Sequence, residues 1–227
     1  MPYVSGLPKH YEGTIRLGIR TDTDDRAGAV LATSDAWRDV DDESLDAAMG
    51  ALTGHVAQVP PVYSAKKVAG APAYRRARRG ETVSLAAREV DVVRFAPVDR
   101  AGPDVRFEAE VGSGTYVRAL ARDLGERLGC GAHLLALRRT AVGPWAVADA
   151  VPLDGLTATP LRPLSAAVPH LSRRALDDLE HEAVRRGRAI DAHGEGAGAV
   201  ALFHGSDLVA VAEREGETLH PHLVLDA

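Results

Sequence analysis

The sequence contains no apolar run near the roughly 20 residues that a bilayer-spanning helix needs, and its opening, MPYVSGLPKHYEG, lacks the apolar centre of a signal peptide. A membrane protein is therefore not expected, and a cytoplasmic one is. Cysteine is nearly absent: Cys130 is the single one in 227 residues. That excludes an internal disulfide framework and a multi-cysteine zinc site, and leaves Cys130 as a small buried hydrophobe. Positive charge is also short, with a formal net charge of -5, which argues against indiscriminate nucleic-acid binding because such binding comes mainly from Lys and Arg neutralising phosphates. Carboxylates and histidines do not assemble into a metal site either. Asp22, Asp24 and Asp25 lack the glycine and terminal glutamate of a calcium loop, His220 and His222 have no third ligand, and Ser64 with Lys67 lacks the companion motifs of acyl-transfer enzymes.

What is present is an ordinary globular composition, 45% hydrophobic and 26% charged, enough for one sizeable domain and a small one. Ile15, Leu17 and Ile19 alternate as in a half-buried strand, and the acidic turn from Thr21 to Asp25 follows. Leu45, Ala48, Met49 and Leu52 recur at helical spacing behind an acidic first turn. Pro60 and Pro61 stiffen an extended stretch around Gln58 and Tyr63. A locally basic loop or hairpin comes next: Lys66, Lys67, Arg75, Arg76, Arg78, Arg79 and Arg88 stand against one acid, Glu81. Tyr63 and Tyr74 are interleaved with it, a pattern suited to phosphate and base contacts in RNA. Strands are expected around Val90 to Val93 and over Val105, Phe107, Ala109 and Val111. A second helix carries Val117, Leu120, Ala121, Leu124 and Leu128 as its buried stripe, with Gly129 as its stop. Arg118 sits at the start of that helix, where a cation opposes the helix dipole, so an anionic partner is expected beside it. Beyond a proline-rich stretch, a short helix marked by Leu176, Leu179, Ala183 and Val184 leads into short strands at Val200 to Phe203, Leu208 to Ala212 and Leu223 to Leu225.

Several segments, in this order, resemble the bacterial TruB family of tRNA pseudouridine synthases: KHYEGTIRLGIRTDTDD (9–25), QVPPVYSAKK (58–67), AYRRARRGE (73–81), GTYVRALARDLGERLG (114–129) and CGAHLLALRRT (130–140). The tail, with RRGRAI (185–190) and LVAVAEREGETLHPHLVL (208–225), resembles more loosely that family's RNA-binding module of PUA type. The resemblance implies an α+β fold with a mixed, largely antiparallel sheet, flanking helices and a small β-rich C-terminal domain. It divides the chain into a catalytic domain at 1–150, a linker at 151–170 and a PUA-like domain at 171–227.

What the family implies chemically is isomerisation of a uridine in the tRNA T-loop, numbered 55 by convention, to pseudouridine, without any cofactor. The base must be extruded into a pocket to be reached. By position in the motifs, Tyr11 would stack on the uracil, Tyr116 would line the same pocket, and Leu137 would touch the base. Arg118 would pair with the catalytic aspartate, lowering its pKa by about one to three units. Lys66, Lys67, Arg75, Arg76, Arg78 and Arg79 would contact RNA. The implied partner is the T-arm of tRNA, met by a monomer.

One departure stands out. The family's nucleophile lies in a Gly-Thr/Ser-Leu-Asp-Pro-x-Ala-x-Gly motif expected before Tyr11, and no aspartate occurs among the ten residues preceding Tyr11. The stretch from Glu43 to Gly50 mimics that motif but lacks its proline, and Asp46 is expected to face solvent. Sequence offers no substitute carboxylate near Arg118. A non-catalytic RNA-binding protein, or an RNA-folding helper, is the alternative expectation.

Overall fold

The computed structural model describes residues 2–64, 66–68, 71–77, 79–81, 83–158, 161–194 and 198–225. The chain divides into two compact units, one of Gly6–Ala148 and one of Asp149–Ala227 together with Met1–Ser5. A short helix, α1 (Pro2–Ser5), belongs to the second.

The larger unit is built on alternation. Strand β1 (Lys9–Leu17) buries Ile15 and Leu17 on one face and leaves Glu12 exposed on the other. A hairpin of β2 (Ile19–Thr21) and β3 (Val30–Thr33) encloses the acidic turn. Helix α2 (Asp42–Gly50) is capped by the Asp41 carboxylate, which accepts from the Ser44 N–H at 2.8 Å, and buries Leu45 and Met49 while Asp46 is exposed as expected. Strand β4 (Gly54–Gln58) precedes the prolines. The basic region then holds β5 (Lys67–Val68), β6 (Ala71–Pro72) and the one-turn helix α3 (Ala73–Ala77). The long hairpin of β7 (Arg88–Ala101) and β8 (Asp104–Val111) turns at Gly102, whose φ of +62° suits a residue without a side chain. Helix α4 (Val117–Arg127), strand β9 (Ala132–Val142) and the short β10 (Trp145–Ala146) complete the unit.

These strands form a six-stranded sheet in the order β10-β9-β1-β8-β7-β4, with every pairing antiparallel. The core joins the sheet's buried face, with Ile15, Leu17, Val105, Phe107 and Ala109, to Leu45 and Met49 of α2 and Leu120 and Leu124 of α4. Two glycines permit the closest approaches. A Cβ on Gly125 of α4 would lie 2.2 Å from the backbone nitrogen of Ala132, so that position keeps the helix tight against the start of β9. A Cβ on Gly13 would lie 2.6 Å from the Ala136 carbonyl oxygen and 2.7 Å from the Phe107 ring. Its absence lets that ring lie across β1, edge-on to Phe95 at 5.5 Å.

The second unit has β11 (Ser172–Ala175), helix α5 (Asp178–Arg185), β12 (Ile190–Asp191), β13 (Ala199–His204), β14 (Asp207–Glu215) and β15 (Thr218–Val224). They form a five-stranded sheet ordered β11-β13-β14-β15-β12, in a PUA-like arrangement. Asp177 and Glu180 close a capping box at the start of α5, and Glu180 also pairs with the buried guanidinium of Arg174. Val184 packs inward. Leu179, expected on the helix's apolar stripe, is instead 83% exposed, because it falls on the face opposite Val184. The proline-rich stretch after Asp149 runs through three-ten turns at Leu153–Ala158 and Leu164–Ala167 and counts with this unit. Among the described residues no helix is long and apolar enough to cross a membrane.

Candidate functional site

The chemistry-bearing residues of the larger unit converge where four pieces of chain meet: the acidic turn after β2, the segment following β4, the start of α4 and the start of β9. The turn is preorganised by its own side chains. Thr21 Oγ1 donates to the Asp25 carbonyl at 2.7 Å, Thr23 Oγ1 donates to Asp25 Oδ1 at 2.8 Å, and the Ala27 N–H reaches the same oxygen at 3.0 Å. Asp24 holds a left-handed φ of 60°, a conformation that Asp tolerates better than most residues. The turn is fastened to β9 by backbone bonds, from the Leu134 N–H to the Asp24 carbonyl and from the Arg26 N–H to the Leu134 carbonyl, both 3.0 Å.

Two arginines one helical turn apart on α4 reach into this turn. Arg118 Nη1 donates to Asp25 Oδ2 and to the Thr23 carbonyl, both at 3.0 Å, and its Nη2 donates to the Tyr63 carbonyl at 2.9 Å. Arg122 pairs with Asp24 at 3.1 Å and donates to the Val59 carbonyl at 2.8 Å. The expectation of an anion beside Arg118 is met by Asp25, which the sequence marked only as part of the acidic turn. Asp25 lies 93 positions from Arg118, and its acidic neighbours masked it as part of a solvated turn.

The two carboxylates titrate in opposite directions. Burial pushes the Asp24 carboxyl up, and the nearby Arg122 and Arg118 only partly offset that. Burial pushes Asp25 the same way, but the hydrogen bonds from Thr23 and Ala27, together with Arg118, outweigh it and leave this carboxyl below its ordinary value.

A cleft of about 520 Å³ opens beside this cluster, lined by Asp25, Arg26, Arg118, Leu134, Ala136 and Leu137 among others. Arg118 and Leu137 are thus brought together, and Leu137 is 44% exposed. Tyr11 is not among the residues lining that cleft; it lines a separate one with His10, Glu12, Arg94, Glu108 and Thr140. The strand register nevertheless puts it on the same sheet face as Leu137. Gly13 pairs with Leu137 and Tyr11 with Arg139 across β1 and β9, and Tyr11 packs in part against the core that includes Val117 and Leu134. Tyr116 caps α4 and is half-buried.

In the basic region, Arg75 and Arg79 are exposed, and Arg75 donates to the Tyr74 hydroxyl at 3.2 Å. Arg76 is already paired with Glu81 at 2.6 Å, and Lys66 is half-buried. Arg78 and the side chain of Lys67 lie outside the described residues. Among the described residues no group of three or more His, Cys, Asp or Glu could hold a metal ion.

The fold is shared with solved proteins. A Cbf5-Nop10-Gar1 complex contains a chain that superimposes with a TM-score of 0.71 at 22% identity, covering 98% of this chain and 68% of that one. An H/ACA RNP bound to a substrate RNA containing 2'-deoxyuridine gives 0.69 at 20% identity. That likeness is one of fold. Sequence goes further. Residues 1–117 match the TruB family pseudouridylate synthase N-terminal domain, and residues 118–181 match the tRNA pseudouridylate synthase B C-terminal domain. The protein named tRNA pseudouridine synthase B from Aromatoleum aromaticum is 42% identical over 221 residues, which cover 94% of this chain and 71% of that protein. Its namesake from Nocardia farcinica is 45% identical over 227 residues, 96% of this chain and 73% of that protein. The chain belongs to the TruB family of pseudouridylate synthases.

Proposed function

We propose that this chain recognises the T-arm of tRNA and seats uridine 55, extruded from its loop, in the cleft beside Arg118, as part of a tRNA pseudouridine(55) synthase. The observation that carries this reading is the convergence of Arg118, Asp25 and Leu137 on one cleft, next to the sheet face that bears Tyr11. A flipped base needs an apolar contact and an aromatic surface to replace the stacking it loses, and Leu137 and Tyr11 supply these, with Tyr116 at the helix start. Arg118 is held in a fixed direction by three acceptors and, with five N–H donors in its fork, has capacity for a further carboxylate. Asp25 acts here by holding Arg118. Three donors, from Thr23, Ala27 and Arg118, already bind its two oxygens and hold down its electron density, which makes it a weakened nucleophile.

In the isomerisation the bond from ribose C1' to uracil N1 breaks, the base turns within the pocket, and C1' bonds to C5. The C5 proton leaves and N1 ends protonated, so no oxidant, metal or cofactor is required. The attacking carboxylate of the family motif has no counterpart with a Leu-Asp-Pro sequence in these 227 residues. The exposed Arg75 and Arg79, with Lys66, Lys67, Arg76 and Arg78, serve as phosphate contacts along the RNA, the chain works as a monomer, and its substrate puts it in the cytoplasm.

The test is a T-arm stem-loop carrying tritium at C5 of the target uridine, with binding and tritium release scored separately. The expected result is preferential binding over a hairpin of matched composition, without release by these 227 residues alone. Equal binding of both hairpins would refute the recognition claim and favour an unrelated role. Tritium release would show that a carboxylate within this chain performs the attack.

A further inference from the structure

Helix α4 begins without a cap from its own sequence. Tyr116 occupies the N-cap at φ -102° and ψ 109°, and no side-chain cap bond forms there. The loop before it contains Gly112 and Gly114, the latter at φ +89°, and is tied to the Asp91 carbonyl of β7 by the Gly112 N–H at 2.8 Å and the Thr115 hydroxyl at 3.3 Å, which leaves the Tyr116 peptide itself to be held. The Tyr116 peptide is gripped from elsewhere. Gln58, the last residue of β4, accepts from the Tyr116 N–H through Oε1 at 2.8 Å and donates from Nε2 to the Tyr116 carbonyl at 3.2 Å.

Gln58 is 2% exposed and 58 positions distant in sequence. A buried amide costs free energy unless both its ends are paired, and here one residue's backbone pairs both. The same carbonyl also accepts from the Ala119 and Leu120 N–H groups, so the clamp acts on the group that starts the helix. Two further ties run alongside it, from Arg122 to the Val59 carbonyl and from Arg118 to the Tyr63 carbonyl. The segment from Gln58 to Tyr63 is thereby bolted along the first turns of α4.

We propose that Gln58 is a positioning residue: by fixing both backbone hydrogen-bonding groups of Tyr116, it aims the Tyr116 ring and the Arg118 guanidinium into the uridine site. This rests on the uridine-seating function proposed above, and it goes beyond it by assigning a role to a side chain that touches no substrate. A plain buried amide with no such role would, on removal, loosen the whole unit evenly.

The experiment uses the full chain, which has five tyrosines, labelled with 3-fluorotyrosine, with the Tyr116 resonance assigned through Tyr116→Phe. The RNA probe is a T-arm stem-loop with 2-aminopurine beside the target uridine, whose fluorescence rises when its neighbour unstacks. Gln58→Met keeps the length and removes both bonds. It is expected to shift or broaden the Tyr116 signal while leaving those of Tyr3 and Tyr74 in place. Affinity should stay within about threefold, because phosphate contacts dominate it, while the saturating fluorescence change falls by roughly half or more. Gln58→Glu in its ionised form keeps an acceptor for the Tyr116 N–H but cannot donate to the Tyr116 carbonyl, so at alkaline pH it loses one of the two bonds. Burial raises its pKa, so as the pH is lowered the protonated acid regains both bonds, and both signals return towards wild type. Gln58→Met shows no such recovery.

Unchanged Tyr116 and fluorescence signals in both variants would overturn the proposal. So would tyrosine resonances that all move together in Gln58→Met with no acid recovery in Gln58→Glu. A wild-type chain that binds the RNA without any fluorescence change would instead refute uridine seating, while the fluorine spectra still decide the clamp.

Discussion

Replacing Asp25 by Asn tests whether the pair with Arg118 is an organising contact or an ornament of the surface. The substitution keeps the shape and leaves an acceptor for Thr23 and Ala27, but removes the charge facing Arg118 at 3.0 Å. A hydrogen bond to a charged group contributes about 1.5–3 kcal/mol. The side chains of Arg118 and Asp25 are 26% and 27% exposed, so solvent screening lowers the expected loss to about 1 kcal/mol. The sign with pH is fixed by the depressed carboxyl. A carboxylate held below its unfolded value of about 3.9 contributes its full stability above that pH and loses it as the pH falls through the folded-state value. The gap between wild type and Asp25→Asn should therefore be constant from neutrality to about pH 5 and close below about pH 4. Urea unfolding followed by tryptophan fluorescence reads the right unit, because Trp37 and Trp145 both belong to Gly6–Ala148. A gap that persists unchanged at low pH, or none at neutrality, would refute the reasoning.

Other perturbations follow from the same geometry. Gly125→Ala forces a Cβ to 2.2 Å from backbone and should destabilise the larger unit by at least about 2 kcal/mol in the same urea assay. An Ala at the open Gly50 position of α2, where a Cβ meets nothing within 4 Å, should instead be neutral or slightly stabilising. Replacing the exposed Arg75 and Arg79 by Ala should reduce the slope of log affinity against log salt by about 1 for each phosphate no longer neutralised. The Arg76 substitution should change it less, because Glu81 already neutralises that charge. Burial pushes the Cys130 thiol up, so alkylation by iodoacetamide at pH 8 should be slow in the native protein and fast in urea; fast native labelling would contradict the packing assigned to it.

Much of this fold could be read from local pattern. Period-two alternation in β1 and β8 and the 3.6-residue stripe of α4 survive because each is locally consistent and each buries the face its pattern marks. Strand β7 runs for 14 residues, well past the valines that signalled it, since its polar continuation is held by pairing with β8 rather than by propensity. The site was half legible. Arg118 and Leu137, singled out through their motifs, line one cleft, and the misfit of a cation at a helix start pointed to an anion, which Asp25 supplies. The pairing of Asp25 and of Gln58 could not be read, because their partners lie 93 and 58 positions away. Polar side chains of that kind carry no periodic signal, and only the assembled sheet brings them against α4.

An extruded pyrimidine bound in the cleft is the claim on which the functional account stands, and base deletion tests it most directly. Affinity is measured for two T-arm stem-loops that differ only at the target nucleotide, one with uridine and one abasic. Loss of one stacked base, at about 1–3 kcal/mol, predicts a weakening of roughly fivefold or more for the abasic RNA, and the Tyr11→Ala variant should largely erase that difference. Equal affinity of wild-type protein for both RNAs would contradict the account.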